Sequence, residues 1–388
     1  MRRLRQLPRV DWPARLQEIG FHYHSIDERG DAQPPDARVF RYWREDAAYH
    51  FDAAQIECLY EAGVEVHRMC LEVVADAVRA GDPAAFAIPD AMWPLVERSW
   101  NLREPALFGR FDFAWDGTGA PRMLEYNADT PTALVEASLA QWQWLTQTHP
   151  GADQFNSLHE ALIARWTALR GQSADGLLHL ACLFDSQEDV GNTEYLLDLA
   201  VQAGWHAKIL DVRDIGSDGS GRFYDTENRP IETVFKLYPW EWMVREAFAP
   251  DLLRARTRWI EPAWKMLLAN KAVLAALWAR FPGHPNLLPA YRTPQPLAGL
   301  PHVVKPMLSR EGANVRLVRP GHPEVDTGGP YGAEGLVWQA YAPMPVLDGF
   351  TPVLGVWMVG DDACGMGIRE DRGPITRNTS FFVPHYFN

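Results

Sequence analysis

The spacing of hydrophobic and polar residues predicts mixed helical and β structure along the chain. Apolar side chains recur every three or four positions between residues 53 and 81, which predicts a long amphipathic helix that ends at Gly81. A Pro-Pro turn is expected at 34–35. Further helices are expected over 132–147, 189–203 and most of 245–281, and strands over 177–184, 206–210, 234–238 and repeatedly after about 286. The segments indicate an α/β core joined to an antiparallel α+β lobe.

Two alternating segments on either side of Asp116-Gly117 predict a β-hairpin over 107–127. With the turn centred between Thr118 and Gly119, Arg110 lies opposite Asn127 and Asp112 lies opposite Glu125. Residues i and i+2 of a strand share a face, so these four polar residues lie together. Four apolar residues lie on the other face: Phe111, Phe113, Leu124 and Tyr126.

The polar face of this hairpin has the donor types of a magnesium site. Two carboxylates and an amide oxygen are hard oxygen ligands, which Mg²⁺ accepts when it also holds substrate phosphates. Arg110 beside them suits a carboxylate or a transferring phosphoryl group. A solvated sheet face with cross-strand salt bridges is the alternative interpretation.

Composition and charge narrow the class of protein. Hydrophobic residues make up 47% of the 388 residues and charged residues 22%, as in packed globular proteins. The net charge of -13 argues against nucleic acid or an anionic membrane as partner. No apolar run is long enough for a membrane span or a signal peptide, and the four cysteines are scattered. We therefore expect a cytoplasmic protein, and its oligomeric state stays open.

Lysine is rare in this chain, with five among 37 basic residues. Lys236 lies in a strand, Lys271 begins a helix, and Lys305 ends a strand just before the turn at 309–314, where it could help to cradle a phosphate. Arg369 at the end of a late strand could clamp an anion. Each of these residues could instead be an ordinary surface or snorkelling side chain.

Several motifs together resemble the glutathionylspermidine synthase family. They include Phe108-Gly-Arg-Phe-Asp112, Leu124-Glu-Tyr-Asn-Ala-Asp-Thr130-Pro-Thr132, Glu188-Asp189, Asn270-Lys271, Lys305-Pro-Met-Leu-Ser-Arg310-Glu-Gly and Gly367-Ile-Arg369. They occur in the family's order over nearly the whole chain. The resemblance is to the family's C-terminal synthetase domain, an ATP-grasp ligase.

The resemblance implies a fold and a division of the chain. It implies a permuted, glutathione synthetase-like ATP-grasp fold, of mixed α/β and α+β class, with a pre-ATP-grasp α/β lobe. Residues 1–388 would form one synthetase unit. Its approximate lobes would be 1–170 with the metal-binding hairpin, 171–260 as the pre-ATP-grasp-like lobe, and 261–388 as the ATP-grasp lobe.

The resemblance also implies a reaction and its residues. ATP would phosphorylate a peptide or amino-acid carboxylate, as in glutathione, and an amine such as a polyamine would attack the acyl phosphate. Mg²⁺ would be held by Asp112, Glu125 and Asn127. ATP would be contacted by Lys271, Lys305, Arg110 and Asp112, with Gln339, Ala340, Tyr341 and Ala342 around the adenine. The substrate would be contacted by Arg110, Thr130, Thr132, Glu188 and Asp189. Arg310, Arg369 and Arg110 would neutralise charge during transfer.

The sequence departs from the bifunctional family members in three places. Residue 1 lies near the synthetase start, so amidase activity is not expected. Trp242 stands where those enzymes have a small hydroxyl residue, and the tail 377–381 lacks an acidic residue that helps to hold the polyamine.

Two other functions are compatible with the same residues. A non-catalytic nucleotide- or peptide-binding protein could use this scaffold, since a fold does not guarantee an activity. A phosphotransferase with a hydroxyl acceptor could use the same ATP site. The charged residues that phosphoryl transfer needs are all present, which favours the ligase.

Overall fold

The computed structural model describes residues 1–27, 39–173 and 176–388. The Pro-Pro turn expected at 34–35 lies outside the described residues. The described α-helices are α1 (Trp12–Glu18), α2 (Ala53–Ala80), α3 (Trp93–Asn101), α4 (Gln141–Thr148), α5 (Leu158–Arg170), α6 (Gln187–Gln202), α7 (Trp240–Met243), α8 (Ala249–Leu252) and α9 (Ala272–Arg280).

The described strands form several separate sheets. The strands are β1 (Arg2–Arg5), β2 (Ser25–Asp27), β3 (Val39–Arg41), β4 (Ala47–Phe51), β5 (Phe108–Ala114), β6 (Arg122–Asn127), β7 (Leu177–Cys182), β8 (His206–Asp211), β9 (Gly216–Ser217), β10 (Phe223–Tyr224), β11 (Thr233–Lys236), β12 (Arg258–Ile260), β13 (Ala290–Tyr291), β14 (His302–Pro306), β15 (Arg316–Val318), β16 (Val325–Asp326), β17 (Leu336–Ala340), β18 (Thr351–Val359), β19 (Asp362–Asp371), β20 (Phe381–Val383) and β21 (His385–Phe387).

Three large sheets form the framework of the fold. We call the antiparallel sheet β20-β19-β18-β5-β6 the hairpin sheet, the antiparallel sheet β13-β17-β14-β15-β16 the lysine sheet, and β12-β11-β7-β8 the parallel sheet. The smaller sheets are β1-β4-β21, β9-β10 and β2-β3. The predicted mixture of α/β and antiparallel structure is confirmed, while the three lobe boundaries stay a prediction.

The long helix α2 covers one face of the hairpin sheet. Its start is fixed by a capping box, in which the Asp52 carboxylate accepts from the backbone N–H of Gln55 and the Gln55 side chain accepts from the backbone N–H of Asp52. It ends at Gly81 in the left-handed conformation, with φ +66°. The helix predicted over 53–81 is therefore confirmed. Its Gly63 packs so closely on Val356 of β18 that an added Cβ would lie 3.0 Å from that side chain.

The parallel sheet corrects one prediction. Residues 245–281 contain only the short helix α8, a 3₁₀ turn at Ala263–Leu267 and α9, and between them β12 pairs in parallel with β11. Trp259 and Ile260 are buried in that strand. The prediction of mostly helical structure over 245–281 is therefore wrong, because a three-residue edge strand is too short to show a period of two.

The helix expected over 132–147 is present with an irregular start. Glu136–Ala140 form a π-helical turn, which leads directly into α4. Such turns insert one residue into the hydrogen-bond ladder and often occur beside functional sites.

The length and hydropathy of the helices in the described part of the chain determine whether any of them could span a membrane. Within 1–27, 39–173 and 176–388, no helix combines enough length with enough apolar character to cross a bilayer. A cytoplasmic location stays a prediction.

Candidate functional site

The hairpin β5–β6 has the register that the sequence predicts. Arg110 pairs with Asn127 and Asp112 with Glu125. On the opposite face Phe111 stacks on the ring of Tyr126, with ring centroids 3.8 Å apart. The apolar face packs against α2, where His67 contacts both rings edge-on. The polar face is therefore left to line a cavity.

One residue of the hairpin departs from the prediction. A β-bulge follows the Asp112–Glu125 pair, so Phe113 pairs with Met123 and Leu124 is the extra residue. Met123 is buried on the apolar face, whereas Leu124 lines a cavity with Glu125. The expectation that Leu124 lies on the apolar face is wrong, because the bulge breaks the alternation there.

Hydrogen bonds join the four polar residues. Arg110 donates from Nε to Asp112 Oδ1 at 2.7 Å and from Nη1 to the carbonyl of Thr132 at 2.8 Å. Asn127 Nδ2 donates to Asp112 Oδ2 at 3.2 Å and to Glu125 Oε1 at 3.5 Å. The guanidinium passes where Gly355 has no side chain, since an added Cβ there would lie 2.8 Å from Arg110 Cδ.

Two lysines bring positive charge to Glu125. Lys271 Nζ lies 3.4 Å from Glu125 Oε2. Lys305 Nζ, from the lysine sheet, donates to the Leu124 carbonyl at 2.8 Å and to Gln339 Oε1 at 2.9 Å. Burial opposes ionisation of Glu125, but Lys271, Lys305 and Arg110 outweigh it and lower the pKa of Glu125 to about 2. Burial lowers the pKa of Lys305 to about 8, although Glu125 opposes that shift.

The donor set at this position fits Mg²⁺. Asp112, Glu125 and Asn127 place two carboxylates and an amide within hydrogen-bond distance of one another, and Glu125 stays ionised. Oxygen donors of these types are those that Mg²⁺ prefers. No cluster of three or more His, Cys, Asp or Glu residues suited to a metal occurs in the described part of the chain. Besides the two carboxylates, the site therefore offers the Asn127 amide, which lies within hydrogen-bond distance of both.

A cavity of about 250 Å³ opens beside the polar face of the hairpin. Its walls include most of the residues expected to contact the substrate or the transferring group: Arg110, Thr130, Thr132, Asp189, Arg310 and Arg369. Glu188 is not among the lining residues. Burial and the carboxylate of Glu188 raise the pKa of Asp189 to about 6, so Glu188 affects the cavity through its charge.

A second cavity, of about 110 Å³, lies against the lysine sheet. It is lined by all of the residues expected around the adenine, and by both lysines: Lys271, Lys305, Gln339, Ala340, Tyr341 and Ala342. Val315, Leu317 and Ile375 add apolar walls. The two cavities share Asp112, Glu125, Gly312, Val353 and Thr376, so they meet at the carboxylates of the hairpin.

The two late arginines are held in different ways. Arg310 donates from Nη1 to Thr130 Oγ1 at 2.8 Å and from Nε and Nη2 to Glu241 Oε1 at 2.9 and 2.6 Å. Arg369 donates from Nη2 to the carbonyls of Arg377, Asn378 and Ser380. Arg369 therefore ties the tail segment to the wall of the larger cavity.

The structure also adds residues that the sequence did not assign to the site. Glu241 accepts hydrogen bonds from Arg310. Gly312 and Thr376 line both cavities where these meet. Gly312 has φ +70°, and an added Cβ would collide with the Thr376 carbonyl. The rare Lys236, in contrast, is buried in an ion pair with Asp129 at 2.7 Å and lines neither cavity. Gly312 and Thr376 come together only through the contact of two segments that are distant in sequence, so no local pattern could have found them.

The sequence is similar to those of known proteins along nearly its whole length. Residues 3–388 match the family model described as glutathionylspermidine synthase preATP-grasp. A putative acid–amine ligase of Haemophilus influenzae is 44% identical over the full length of both chains. A bifunctional glutathionylspermidine synthetase/amidase of Escherichia coli is 28% identical, over 96% of this chain and 65% of that protein. A trypanothione synthetase of Crithidia fasciculata is 27% identical, over 83% and 53%.

A solved structure supports the fold alone. The apo form of a glutathione synthetase-like effector from Globodera pallida superposes with a TM-score of 0.58, at 10% identity, over 99% of this chain and all of that chain. The expected glutathione synthetase-like ATP-grasp fold is thereby confirmed. These relatives are named as ligases or synthetases, which supports an enzyme. A family model that matches nearly the entire sequence leaves one conclusion: the chain belongs to the glutathionylspermidine synthase family.

Proposed function

We propose that this protein is an ATP- and Mg²⁺-dependent ligase that joins a peptide or amino-acid carboxylate to an amine through an acyl phosphate. The observation that carries the proposal is the position of Asp112 and Glu125 where the two cavities meet. Lysines lie on one side of these carboxylates and arginines on the other. Phosphoryl transfer depends on such positioning and charge rather than on a covalent nucleophile.

Each cavity has a separate task in this proposal. The smaller cavity holds ATP, with Lys271 and Lys305 at its phosphates and the residues 339–342 around adenine. Asp112, Glu125 and Asn127 hold Mg²⁺, which supplies charge neutralisation at the phosphates. The larger cavity holds the acid substrate, with Arg110, Thr130, Thr132 and Asp189 as contacts.

The reaction then takes two balanced steps. A carboxylate oxygen attacks the γ-phosphorus of ATP, the bond to the β-phosphate oxygen breaks, and ADP leaves. The amine nitrogen next attacks the acyl carbon, the bond to the phosphate oxygen breaks, and phosphate leaves as the nitrogen loses a proton. Arg310 and Arg369, with Arg110, stabilise the negative charge on the transferring group.

The names of the relatives guide the choice of substrates to test. Glutathione is the first acid to try and spermidine the first amine, since relatives are named for glutathionylspermidine and trypanothione synthesis. The net charge of -13 favours a cationic amine, although charge alone does not select one.

The test is ADP release from Mg²⁺-ATP over a panel of peptides and amines that includes this pair. Turnover that requires both an acid and an amine, and is lost in Glu125→Ala and Arg310→Ala, is the expected result. The matched variant Glu57→Ala, on the exposed surface of α2, should keep it. Saturable ATP binding without turnover on any pair would favour the non-catalytic binding protein, and no ATP binding would overturn the site.

A further inference from the structure

Glu241 is the principal anchor of Arg310. One carboxylate oxygen of Glu241 accepts from Nε at 2.9 Å and from Nη2 at 2.6 Å of the guanidinium. Thr130 Oγ1 accepts from Nη1 at 2.8 Å, and the Trp242 ring lies beneath the guanidinium at 5.6 Å. Three sides of the arginine are therefore fixed by residues that belong neither to the metal site nor to the adenine pocket.

The position of Arg310 on a loop explains the need for such anchors. It lies in a loop between the lysine-sheet strands β14 and β15, where Glu311 and Gly312 both have positive φ. A long side chain on a loop loses rotamer freedom when it is fixed, and only strong partners compensate for this cost. A charge-assisted contact in which one carboxylate oxygen accepts from two guanidinium nitrogens supplies both energy and direction.

The anchors are themselves tied to the metal hairpin. Asp129 accepts from the backbone N–H of Trp240 at 2.8 Å, and thus fixes the start of the helix α7 that carries Glu241. Its other oxygen accepts from the buried Lys236 at 2.7 Å. Asp129 directly precedes Thr130, the second anchor, and follows the hairpin by two residues. One buried carboxylate therefore sets the position of both partners of Arg310 relative to Asn127.

Charge supports the same arrangement. Burial of the Arg310 guanidinium disfavours its positive charge, and Glu241 outweighs this, so the pKa of Arg310 lies above its ordinary value. The three contacts use one N–H each on Nε, Nη1 and Nη2, which leaves one N–H on each terminal nitrogen. Arg310 lines the larger cavity, so this free edge is available to a bound anion.

We propose that Glu241 is a positioning residue that holds the free edge of Arg310 toward the transferring phosphoryl group. The proposal rests on the proposed function, because it assumes that phosphoryl transfer takes place at the hairpin. Glu241 touches neither ATP nor the acid in this proposal. Its effect passes through Arg310, and it should change stabilisation of the transferring group rather than binding of ATP itself.

The test uses a mimic of the transferring group and needs no acid or amine. Calorimetry would compare the affinity of the full-length protein for Mg²⁺-ATP, for Mg²⁺-ADP, and for Mg²⁺-ADP with aluminium fluoride. We expect aluminium fluoride to tighten binding of Mg²⁺-ADP by the unmodified chain at least about tenfold, since mimics of a transition state bind more tightly than substrates. Glu241→Gln and Arg310→Ala should each lose most of this gain and keep their affinity for Mg²⁺-ATP.

A double variant separates positioning from a structural effect. Glu241→Gln placed in the Arg310→Ala background should cause no further loss, because the route through Arg310 is already closed. Glu246→Gln is the matched control, since Glu246 lies five residues further on, is exposed, and accepts from the Tyr238 hydroxyl rather than from an arginine of the cavity. It should keep the full gain. Thermal unfolding of each variant would confirm that it is folded.

Other outcomes would overturn the proposal. One such outcome is a Glu241→Gln variant in which aluminium fluoride still tightens binding of Mg²⁺-ADP as it does in the unmodified chain. Another is a Glu241→Gln change that reduces this tightening by the same factor whether or not Arg310 is present. Either result would show that Glu241 does not act through Arg310. If the unmodified chain binds Mg²⁺-ATP but aluminium fluoride does not tighten its binding of Mg²⁺-ADP, then neither Arg310 nor Glu241 has the proposed role. Failure to bind Mg²⁺-ATP at all would instead contradict the proposed function.

Discussion

Arg3 and Glu370, 367 positions apart in the chain, form a bidentate ion pair. Arg3 donates from Nε and Nη2 to the two carboxylate oxygens of Glu370, both at 2.8 Å. The Tyr49 hydroxyl donates to the same carboxylate at 2.7 Å. Glu370 is fully buried, and Arg369 lies beside it on β19 with its side chain on the opposite face. The ion pair therefore fixes the strand end that carries Arg369 into the larger cavity.

Arg3→Ala should destabilise the fold strongly. It leaves the Glu370 carboxylate buried without its cation, and loss of one partner of a buried pair costs about 3–5 kcal/mol. Denaturant unfolding would measure this cost. Arg5→Ala is the control, because the Arg5–Asp348 pair is exposed and such pairs contribute roughly 0–1 kcal/mol. Equal losses in the two variants would contradict the role of the buried pair.

Glu125→Gln should weaken the binding of Mg²⁺ together with ATP. The change keeps the shape of the side chain but removes the charge that faces Lys271 and Lys305. A contact to a charged group is worth roughly 1.5–3 kcal/mol, so the affinity should fall at least about tenfold. Calorimetric titration of Mg²⁺ into protein with a non-hydrolysable ATP analogue would show this. Glu57→Gln should bind as the unmodified chain does, and unchanged affinity in Glu125→Gln would exclude Glu125 as a ligand.

Gly312→Ala should impair nucleotide binding by changing the wall that the two cavities share. The new methyl group would collide with the Thr376 carbonyl, so the loop that carries Gly312 and the segment that carries Thr376 must move apart where the two cavities meet. Gly321→Ala is a matched control, because Gly321 has a similar φ of +78° but open space around its Cβ position. Both variants carry the cost of a left-handed alanine, roughly 1 kcal/mol. Only Gly312→Ala should also lose affinity for Mg²⁺-ATP. Equal affinities of the two variants for Mg²⁺-ATP would show that the close approach of Gly312 to Thr376 does not matter for nucleotide binding.

Glu136 should make the stability of the protein fall with rising pH. Burial and the charge of Glu188 raise the pKa of Glu136 to about 8, against an ordinary value of 4.5. Between these two values the folded state binds more protons than the unfolded state, so the free energy of unfolding falls as the pH rises. The fall should begin above pH 4.5 and be complete above about pH 8.

Glu136→Gln should remove this slope, because glutamine does not titrate. Denaturant unfolding at about pH 5, 7 and 9 would compare it with the unmodified chain and with Glu160→Gln, which changes an exposed residue of α5. The Glu136 variant should gain stability relative to the other two at the highest pH. Parallel profiles for all three proteins would show that Glu136 does not titrate in this range.

The sequence predicted local pairing better than distant contacts. The Arg110–Asn127 and Asp112–Glu125 pairs follow from alternation and one turn, so their register could be found from a single short segment. The bulge at Leu124 could not, because it depends on how the hairpin meets the lysine sheet. The strand β12 is too short to show a period of two, and its pairing partner β11 lies over 20 residues earlier in the chain.

The site was predictable as residue types but not as an arrangement. The motifs named the charged residues, and the structure brings most of them to the walls of two cavities. Nothing in the sequence indicated that Arg310 is held by Glu241, 69 positions away, or that Gly312 meets Thr376. Those contacts arise from packing between elements, which sequence periodicity does not record.

The bulge at Leu124 has a consequence for changes in chain length. Because Leu124 is one residue more than a regular ladder needs, its carbonyl is free to accept the ammonium of Lys305 from another sheet. A deletion of this single residue would restore an even hairpin and leave Lys305 without that acceptor. Substitutions at Leu124 keep the backbone and should be tolerated more readily, so the number of residues between Met123 and Glu125 constrains the protein more than the identity of residue 124.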